Sequence, residues 1–334
     1  MTNRRQRSLM IAVFLALSCV GRAAVAEDKS PANASAASSD DFYQFVNMTN
    51  KFTDAQISWA FGDKGTFTSF ANAKSAPAKM GGGGRIYFKI EAPSSGGKPE
   101  VYKDFIEYTH NGKGWFGNTT QVDEFVFPIT IELFETDGKS QKVGITESRT
   151  ALFQAFRANA PKEFQSCVIG MQRIVSPHKA DFQKGKANGN YFDKYVDEVW
   201  AMYATEKQTP GGWTGKVVDG KLIFTKPGQK DYVLTKKPST SDILLGQNEL
   251  GKSADWCSAF NRHVAADPGD WKKVSAYYQA EPYNFYAKFF HDHSLRGLSY
   301  GFCYDDFNQQ ASYFEGHHST KLVVTIYWDT PPAK

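Results

Sequence analysis

Two carboxylates, Glu107 and Asp123, lie on two apolar, strand-like runs within residues 104–128. A pair of carboxyl groups facing one bond is the minimal equipment for hydrolysing a glycoside. One carboxyl protonates the leaving oxygen, and the other activates water or attacks the sugar directly. The pattern therefore suggests acid–base chemistry at a sugar, although two acids on a hairpin are also common on a solvated surface.

The segment between the two acids is rich in Asn, Gly, Trp, Phe and Thr, which are residue types that hold a sugar. Amide and hydroxyl groups hydrogen-bond sugar hydroxyls, and flat aromatic rings suit the apolar faces of pyranoses. Alternation over residues 105–109 predicts a strand with Ile106 and Tyr108 towards the core. Glu107 and Thr109 then share the opposite face.

A second acidic pair, Asp305 and Asp306, follows an apolar run near the C-terminus. Such a pair can hydrogen-bond sugar hydroxyls, bind a metal or cap a turn. His291 and His293 are two residues apart on a predicted helix and would point about 200° apart, which disfavours a shared metal. No nucleophile elbow or HExxH motif is present. We expect neither a metal nor another cofactor.

The elements that position these residues change character along the chain. We predict strands over 56–61 and 85–90, a loop at Gly81–Gly84, helices over 148–164 (broken near Ala160 by Pro161), 190–205, 254–264 and 283–294, a hairpin over 213–224 and a final strand over 320–328. A β-rich part, a helix-rich part and a last strand together indicate two lobes, with the C-terminus returning to the first.

The first 26 residues predict a secretory leader. Early arginines precede an apolar run from Leu9 to Val20, and Ala24-Val25-Ala26 resembles a cleavage site. The run is shorter than the roughly 20 apolar residues that a membrane span needs. We therefore expect a secreted protein, extracellular or periplasmic, that is not membrane-bound after cleavage. Residues 27–41, rich in Ala, Ser, Asn and Asp, predict a disordered tether.

The charge of the chain excludes one class of partner. The 334 residues carry 39 Lys and Arg against 35 Asp and Glu, and the leader holds four of the arginines and no acid. The mature chain would therefore be close to neutral, which disfavours nucleic-acid binding. Three cysteines would remain, Cys167, Cys257 and Cys303, and they allow at most one disulfide.

The chain resembles the laminaripentaose-producing β-1,3-glucanases of glycoside hydrolase family 64 over nearly all of the expected mature chain. The segments that carry the resemblance are Phe105-Ile-Glu-Tyr-Thr-His110, Gly117-Asn-Thr-Thr-Gln-Val-Asp123, Phe127-Pro-Ile-Thr130, Asn284–Asp292 and Gly297–Asp306.

The resemblance implies a mainly β fold with α/β elements, in which a thaumatin-like β-sandwich lobe and a mixed α/β lobe enclose a wide cleft. On this basis we expect the sandwich lobe over 42–147, with a C-terminal strand at 319–330 returning to it, and the mixed lobe over 148–318. It also implies an inverting, endo-type cleavage of β-1,3-glucan that releases short laminari-oligosaccharides. We expect a monomer.

The general acid of the family maps onto Glu107, and its base maps onto Asp123. The substrate-binding residues that we assign alongside them are Thr109, Asn111, Trp115, Phe116, Asn118, Thr120, Asp305 and Asp306. Because Trp115 and Phe116 adjoin, either ring could stack on the sugar. The alternative to an enzyme is a non-catalytic, thaumatin-like protein that binds β-glucan, and the presence of both carboxylates argues against it.

Overall fold

The computed structural model describes residues 41–78, 82–94 and 96–329. The predicted leader and the predicted tether up to residue 40 lie outside the described residues. The strands in the described ranges are β1 (Tyr43–Met48), β2 (Ile57–Phe61), β3 (Thr68–Ser69), β4 (Ser75–Ala76), β5 (Gly82–Ala92), β6 (Glu100–Asn111), β7 (Gly114–Thr119), β8 (Glu124–Phe125), β9 (Ile129–Glu135), β10 (Ser140–Gly144), β11 (Val168–Ile169), β12 (Arg173–Val175), β13 (Lys207–Gln208), β14 (Thr214–Val218), β15 (Lys221–Thr225), β16 (Tyr232–Leu234), β17 (Tyr313–Gly316) and β18 (Ser319–Tyr327). The α-helices are α1 (Arg149–Asn159), α2 (Asp193–Met202), α3 (Thr240–Leu245), α4 (Ala254–Asn261) and α5 (Phe285–Asp292).

Two sheets share the first hydrophobic core. One is six-stranded with the order β17-β7-β6-β5-β2-β3, and the other is five-stranded with the order β10-β9-β18-β1-β4. On β6, Ile106 and Tyr108 point into this core, as the alternation predicts. Glu107 and Thr109 therefore lie on the opposite face of the six-stranded sheet, which we call the site face.

The chain returns to this core at its end. β17 pairs with β7 at the edge of the six-stranded sheet, and β18 lies between β9 and β1 in the other sheet. The predicted final strand is confirmed, but the return begins at Tyr313 and not at residue 319. β17 is a strand because β7 supplies its hydrogen-bond partners, and a short local sequence carries no sign of that pairing.

A second core packs around the helices and includes the four-stranded sheet β13-β14-β15-β16. α2 buries Tyr195, Val196 and Val199, which confirms the predicted helical face. The hairpin of β14 and β15 turns at Asp219 and Gly220, whose φ angles of 49° and 77° are those of a left-handed two-residue turn. The structure is mainly β with helices, as predicted.

Helix α1 begins and ends where its sequence indicates. The hydroxyl of Ser148 accepts the N–H of Ala151 at 3.3 Å and so caps α1. The helix ends before Ala160, because Pro161 has no N–H to continue the helical hydrogen bonds and its ring would clash with the preceding turn.

Gly82–Gly84 form a strand and not the predicted loop, whereas Gly81 lies outside the described residues. Gly82–Gly84 start β5 and pair with residues 108–110 of β6. A Cβ atom on Gly83 would lie 2.9 Å from Oγ1 of Thr109, so glycine permits a close approach of the two strands here. Among the residues that the structure describes, no helix has the length and apolar character that a bilayer crossing requires.

Candidate active site

The pairing of β6 with its two neighbours assembles one row of side chains. Glu107 lies opposite Arg85 on β5 and opposite Asn118 on β7. One step along the face, Thr109 lies opposite Phe116. Since directly opposed residues project to the same side of a sheet, all five lie on the site face.

Asp123 reaches the same place from an irregular stretch between β7 and β8. Thr120 Oγ1 accepts the N–H of Val122 at 3.2 Å, and the N–H of Gln121 donates to the carbonyl of Tyr300 at 2.8 Å. Val122 also packs against the Tyr300 ring. Thr120 is only 3% exposed, so the expectation that it contacts sugar is wrong. Its hydroxyl instead shapes the turn that presents Asp123.

One guanidinium joins the two carboxylates. Nε and Nη2 of Arg85 donate to Oε1 of Glu107 at 3.1 and 3.0 Å. Nη1 of the same side chain lies 3.2 Å from Oδ2 of Asp123. The carboxylates of Glu107 and Asp123, which the sequence paired only by type and spacing, therefore lie around a single cation.

A second cation holds the other oxygen of Asp123. Lys179, in the short turn Pro177–Lys179, places Nζ 3.1 Å from Oδ1. Burial opposes ionisation of Asp123, but the charges of Lys179 and Arg85 outweigh it and hold its pKa below the ordinary value. Burial lowers the pKa of the neighbouring His178 to about 4, so this imidazole is neutral at pH 7. Asp123 is thus held in its ionised form at neutral pH.

Asn118 carries an unsatisfied acceptor beside Glu107. Its side chain is 4% exposed, and Oδ1 has no hydrogen-bond partner among the described residues. A buried acceptor without a donor costs free energy, and at 4% exposure this side chain offers a sugar no more surface than Thr120 does. Asn111 is half-buried, and its Oδ1 accepts the N–H of Lys113 at 2.8 Å, which shapes the β6–β7 turn.

The structure separates the two adjoining aromatic residues. Trp115 is 0% exposed in the first core, and its Nε1 donates to the Tyr43 hydroxyl at 3.3 Å. The expectation that Trp115 could stack on sugar is wrong, because strand alternation turns it inwards. Gly117, on the same side, leaves room for the indole, since a Cβ there would lie 2.2 Å from it. Phe116 is half-buried on the site face.

The two adjoining aspartates also differ. Asp305 is 0% exposed, and its Oδ1 accepts Nη2 of Arg262 at 2.9 Å and lies 3.1 Å from Nε2 of His291. Its Oδ2 accepts the N–H of Gly301 at 2.9 Å. The expectation that Asp305 contacts sugar is therefore wrong, because protein donors occupy both of its oxygens.

Asp306 remains a candidate. It is half-buried, and the Tyr300 hydroxyl donates to its Oδ1 at 3.3 Å. Burial raises the pKa of this carboxyl. Tyr300 also contacts Gln121 and Val122, so Asp306 is tied to the stretch that leads to Asp123.

Sequence reasoning missed Arg85 and Lys179. Arg85 shares the side-chain parity of the site face, but only the β5–β6 register shows that it faces Glu107. Lys179 lies far from both acids along the chain, and no local signal links it to them. Within the described ranges, no group of three His, Cys, Asp or Glu side chains converges as metal ligands would.

A carboxylate pair on one face of a mainly β fold is the kind of site that glycoside hydrolases use. The family model described as "Beta-1,3-glucanase", glycoside hydrolase family 64, matches residues 96–326. This match covers well over half of the chain. The chain therefore belongs to glycoside hydrolase family 64.

Two curated relatives are glucan endo-1,3-β-glucosidases, from Cellulosimicrobium cellulans and from Arthrobacter sp. (strain YCWD3). Each is 26% identical over 293 residues, which cover 80% of this chain and 51% of the relative. The chain thus spans about half the length of these relatives.

Solved structures of the family share the architecture. A β-1,3-glucanase domain from Clostridium beijerinckii is 27% identical, with a TM-score of 0.73 over 86% of this chain and 97% of that one. A laminaripentaose-producing β-1,3-glucanase from Paenibacillus barengoltzii is 29% identical, with a TM-score of 0.67 over 86% and 74%. The second enzyme has also been solved in complex with laminarihexaose.

Proposed function

We propose that this protein hydrolyses β-1,3-glucan by endo-type cleavage, with Glu107 as the general acid and Asp123 as the general base. The observation that carries the proposal is the pair of carboxylates joined by Arg85 on the site face. The family membership supports the substrate class, and the laminarihexaose complex of the Paenibacillus barengoltzii enzyme supports it further.

The reaction needs one proton donor and one proton acceptor. Glu107 donates its proton to the glycosidic oxygen as the bond from that oxygen to the anomeric carbon breaks. Asp123 takes a proton from a water molecule whose oxygen bonds to the same carbon from the opposite face, so the configuration inverts. This mechanism requires the two carboxyl groups to be about 6.5–9.5 Å apart, which leaves room for the water.

The sugar contacts that we propose lie around this pair. Phe116, half-buried on the site face, offers a ring to a pyranose face. Thr109, on the same face as Glu107, and Asn111, at the end of β6, extend the contacts in one direction. Asp306 contributes from the loop that follows Tyr300.

The remaining parts of the proposal concern the whole protein. The two-sheet lobe is of the thaumatin-like type, and a wide cleft separates it from the helix-rich part. The products are short laminari-oligosaccharides. The protein is secreted, because the leader predicted at residues 1–26 directs export, and it acts as a monomer.

Product analysis tests the proposal. We expect the protein to release soluble oligosaccharides from insoluble β-1,3-glucan, seen by chromatography, with Glu107→Gln as the inactive control. Proton NMR during the first minutes should show the α-anomer forming first at the new reducing end, as inversion of a β-bond requires. Binding of the glucan without release of sugar would instead support the non-catalytic alternative. Initial formation of the β-anomer would contradict the inverting mechanism.

A further inference from the structure

Arg85 is held in one orientation before any substrate arrives. It projects from β5 directly opposite Glu107, and its guanidinium lies 3.9 Å from the centre of the Phe105 ring. That ring packs against Tyr87, with 5.3 Å between the ring centres. A planar guanidinium on an aromatic face keeps its N–H groups in a fixed fork.

The fork distributes its donors unequally between the two acids. Two N–H groups converge on Oε1 of Glu107, and a third nitrogen meets Oδ2 of Asp123. Lys179 takes the remaining oxygen of Asp123, whereas Oε2 of Glu107 has no hydrogen-bond partner among the described residues. Asp123 is thus held through both oxygens, and Glu107 through one.

Within the described part of the chain, Glu107 keeps one oxygen free to carry a proton, as an acid requires, whereas both oxygens of Asp123 are held by cations that keep it ionised. An oxygen that already accepts two N–H donors is a poor place for a proton, so the proton of Glu107 belongs on Oε2. We propose that Arg85 is the positioning residue that sets the distance between Glu107 and Asp123 and directs the acidic proton to Oε2 of Glu107. This inference rests on the proposed function.

The charges around Asp123 determine how its pKa would change if Arg85 were removed. The charged and titratable groups around it are Arg85 from β5, which it shares with Glu107 from β6, Lys179 and His178 from the turn after β12, and Tyr286 from α5. His178 is neutral at pH 7, so Arg85 and Lys179 are the two cations that offset the nearby carboxylates. Without Arg85, the pKa of Asp123 rises.

Two substitutions test whether Arg85 positions Glu107 and Asp123. Arg85→Met keeps an apolar stem over Phe105 and removes the fork, whereas Arg85→Lys keeps a charge that reaches only one carboxylate at a time. We expect kcat on laminarin to fall about 10²-fold in Arg85→Met and about 10-fold in Arg85→Lys, with KM changed less than about 3-fold. The acidic limb of the kcat/KM profile should move to higher pH in Arg85→Met and less in Arg85→Lys.

Arg173→Met is the matched control. Arg173 pairs with Glu124, the neighbour of Asp123, at 3.4 Å and contacts neither acid of the site. We expect its kcat and its pH profile to equal those of the wild type. Circular dichroism checks folding, and Arg85→Lys carries the test if Arg85→Met does not fold.

The outcomes separate the inference from the proposed function. A wild-type protein that releases no sugar from β-1,3-glucan contradicts the function itself. An active wild type with both Arg85 variants within twofold in kcat, or with only KM raised, overturns the role of Arg85. A titration of the carboxyl groups by ¹³C NMR requires no turnover. The Asp123 signal is identified by its absence in Asp123→Asn. An unchanged pKa of Asp123 in Arg85→Met would also overturn the role of Arg85.

Discussion

Asp123 and Glu107 have the same functional group and different surroundings. Asp123 meets a cation at each oxygen, and its pKa is held low although burial opposes ionisation. Glu107 meets a cation at one oxygen only. Two carboxylates acquire different roles when their environments treat the two protonation states differently. The asymmetry supports the proposed assignment of the base to Asp123 and of the acid to Glu107.

Removing either carboxylate should stop turnover without unfolding the protein. We expect Glu107→Gln and Asp123→Asn each to lower kcat on laminarin by at least about 10²-fold, because each removes a proton transfer. Glu124→Gln is the control, since Glu124 pairs with Arg173 at the edge of the site. Near-normal turnover in a folded variant would remove that residue from the mechanism.

Asp306 should affect substrate use more than stability. A charged hydrogen bond contributes about 1.5–3 kcal/mol, so we expect Asp306→Ala to lower kcat/KM roughly 10- to 100-fold while some turnover remains. The melting temperature should change little, as for the exposed Gln309→Ala control on the same loop. A sharp loss of stability with normal kinetics of the folded fraction would show that Asp306 only caps a turn.

At the scale of elements, one buried ion cluster ties the helix-rich part together. Arg262 follows α4, His291 lies on α5, and both meet Asp305 in the loop after Tyr300. The side chains of Arg262 and Asp305 are 1% and 0% exposed. Removing one partner of a buried pair leaves an uncompensated charge, which is far more costly than breaking a surface pair.

Asp305→Ala should therefore destabilise the protein by about 3–5 kcal/mol, measured by urea unfolding at pH 6. The control is Asp197→Ala, which breaks an exposed pair with Lys237 and should cost about 1 kcal/mol or less. A loss as small as that of the control would show that the cluster adds nothing to stability.

The same variant should show a defined pH dependence. Burial disfavours protonated His291, but Asp305 outweighs it and holds the pKa of His291 above its ordinary value. That contribution is complete below about pH 6.5 and is lost as the pH rises through the raised pKa. Burial also opposes ionised Asp305, yet His291 and Arg262 hold its pKa low, so its contribution is lost as the pH falls through that pKa. The difference between wild type and Asp305→Ala should peak between about pH 4 and 6.5.

The regular elements could be predicted because their signals are local. Alternation on β6, the apolar face of α2 and the Asp219-Gly220 turn each depend on neighbouring residues alone. Gly82–Gly84 have the composition of a loop but form a strand, because the partner strand β6 holds them extended. Asp123 lies outside a regular strand, because the chain leaves β7 at Thr119 before it reaches this residue.

At the scale of the whole molecule, the acid pair was predictable and its supports were not. Glu107 and Asp123 lie in one short segment whose resemblance to a family is specific. Arg85, Lys179 and the burial of Asp305 depend on strand register and on packing between distant segments. Such contacts leave no periodic pattern in the sequence.

Two further predictions concern the activity of the whole protein: its preference among polysaccharides and its independence of metal ions. We expect faster hydrolysis of laminarin than of cellulose or chitin, because the family resemblance and the curated relatives favour β-1,3-linkages. EDTA should leave the rate unchanged, since the proposed chemistry uses only carboxylates. Loss of activity with EDTA and recovery with a divalent cation would contradict this expectation.

The position of β18 has a consequence for biosynthesis. β1 emerges from the ribosome before the other strands of its sheet, yet its parallel neighbour is β18, which also pairs with β9. Until β18 has been made, β1 and β9 lack the strand that lies between them, and such distant pairings form slowly. The sheet can therefore close only after β18 itself has been synthesised.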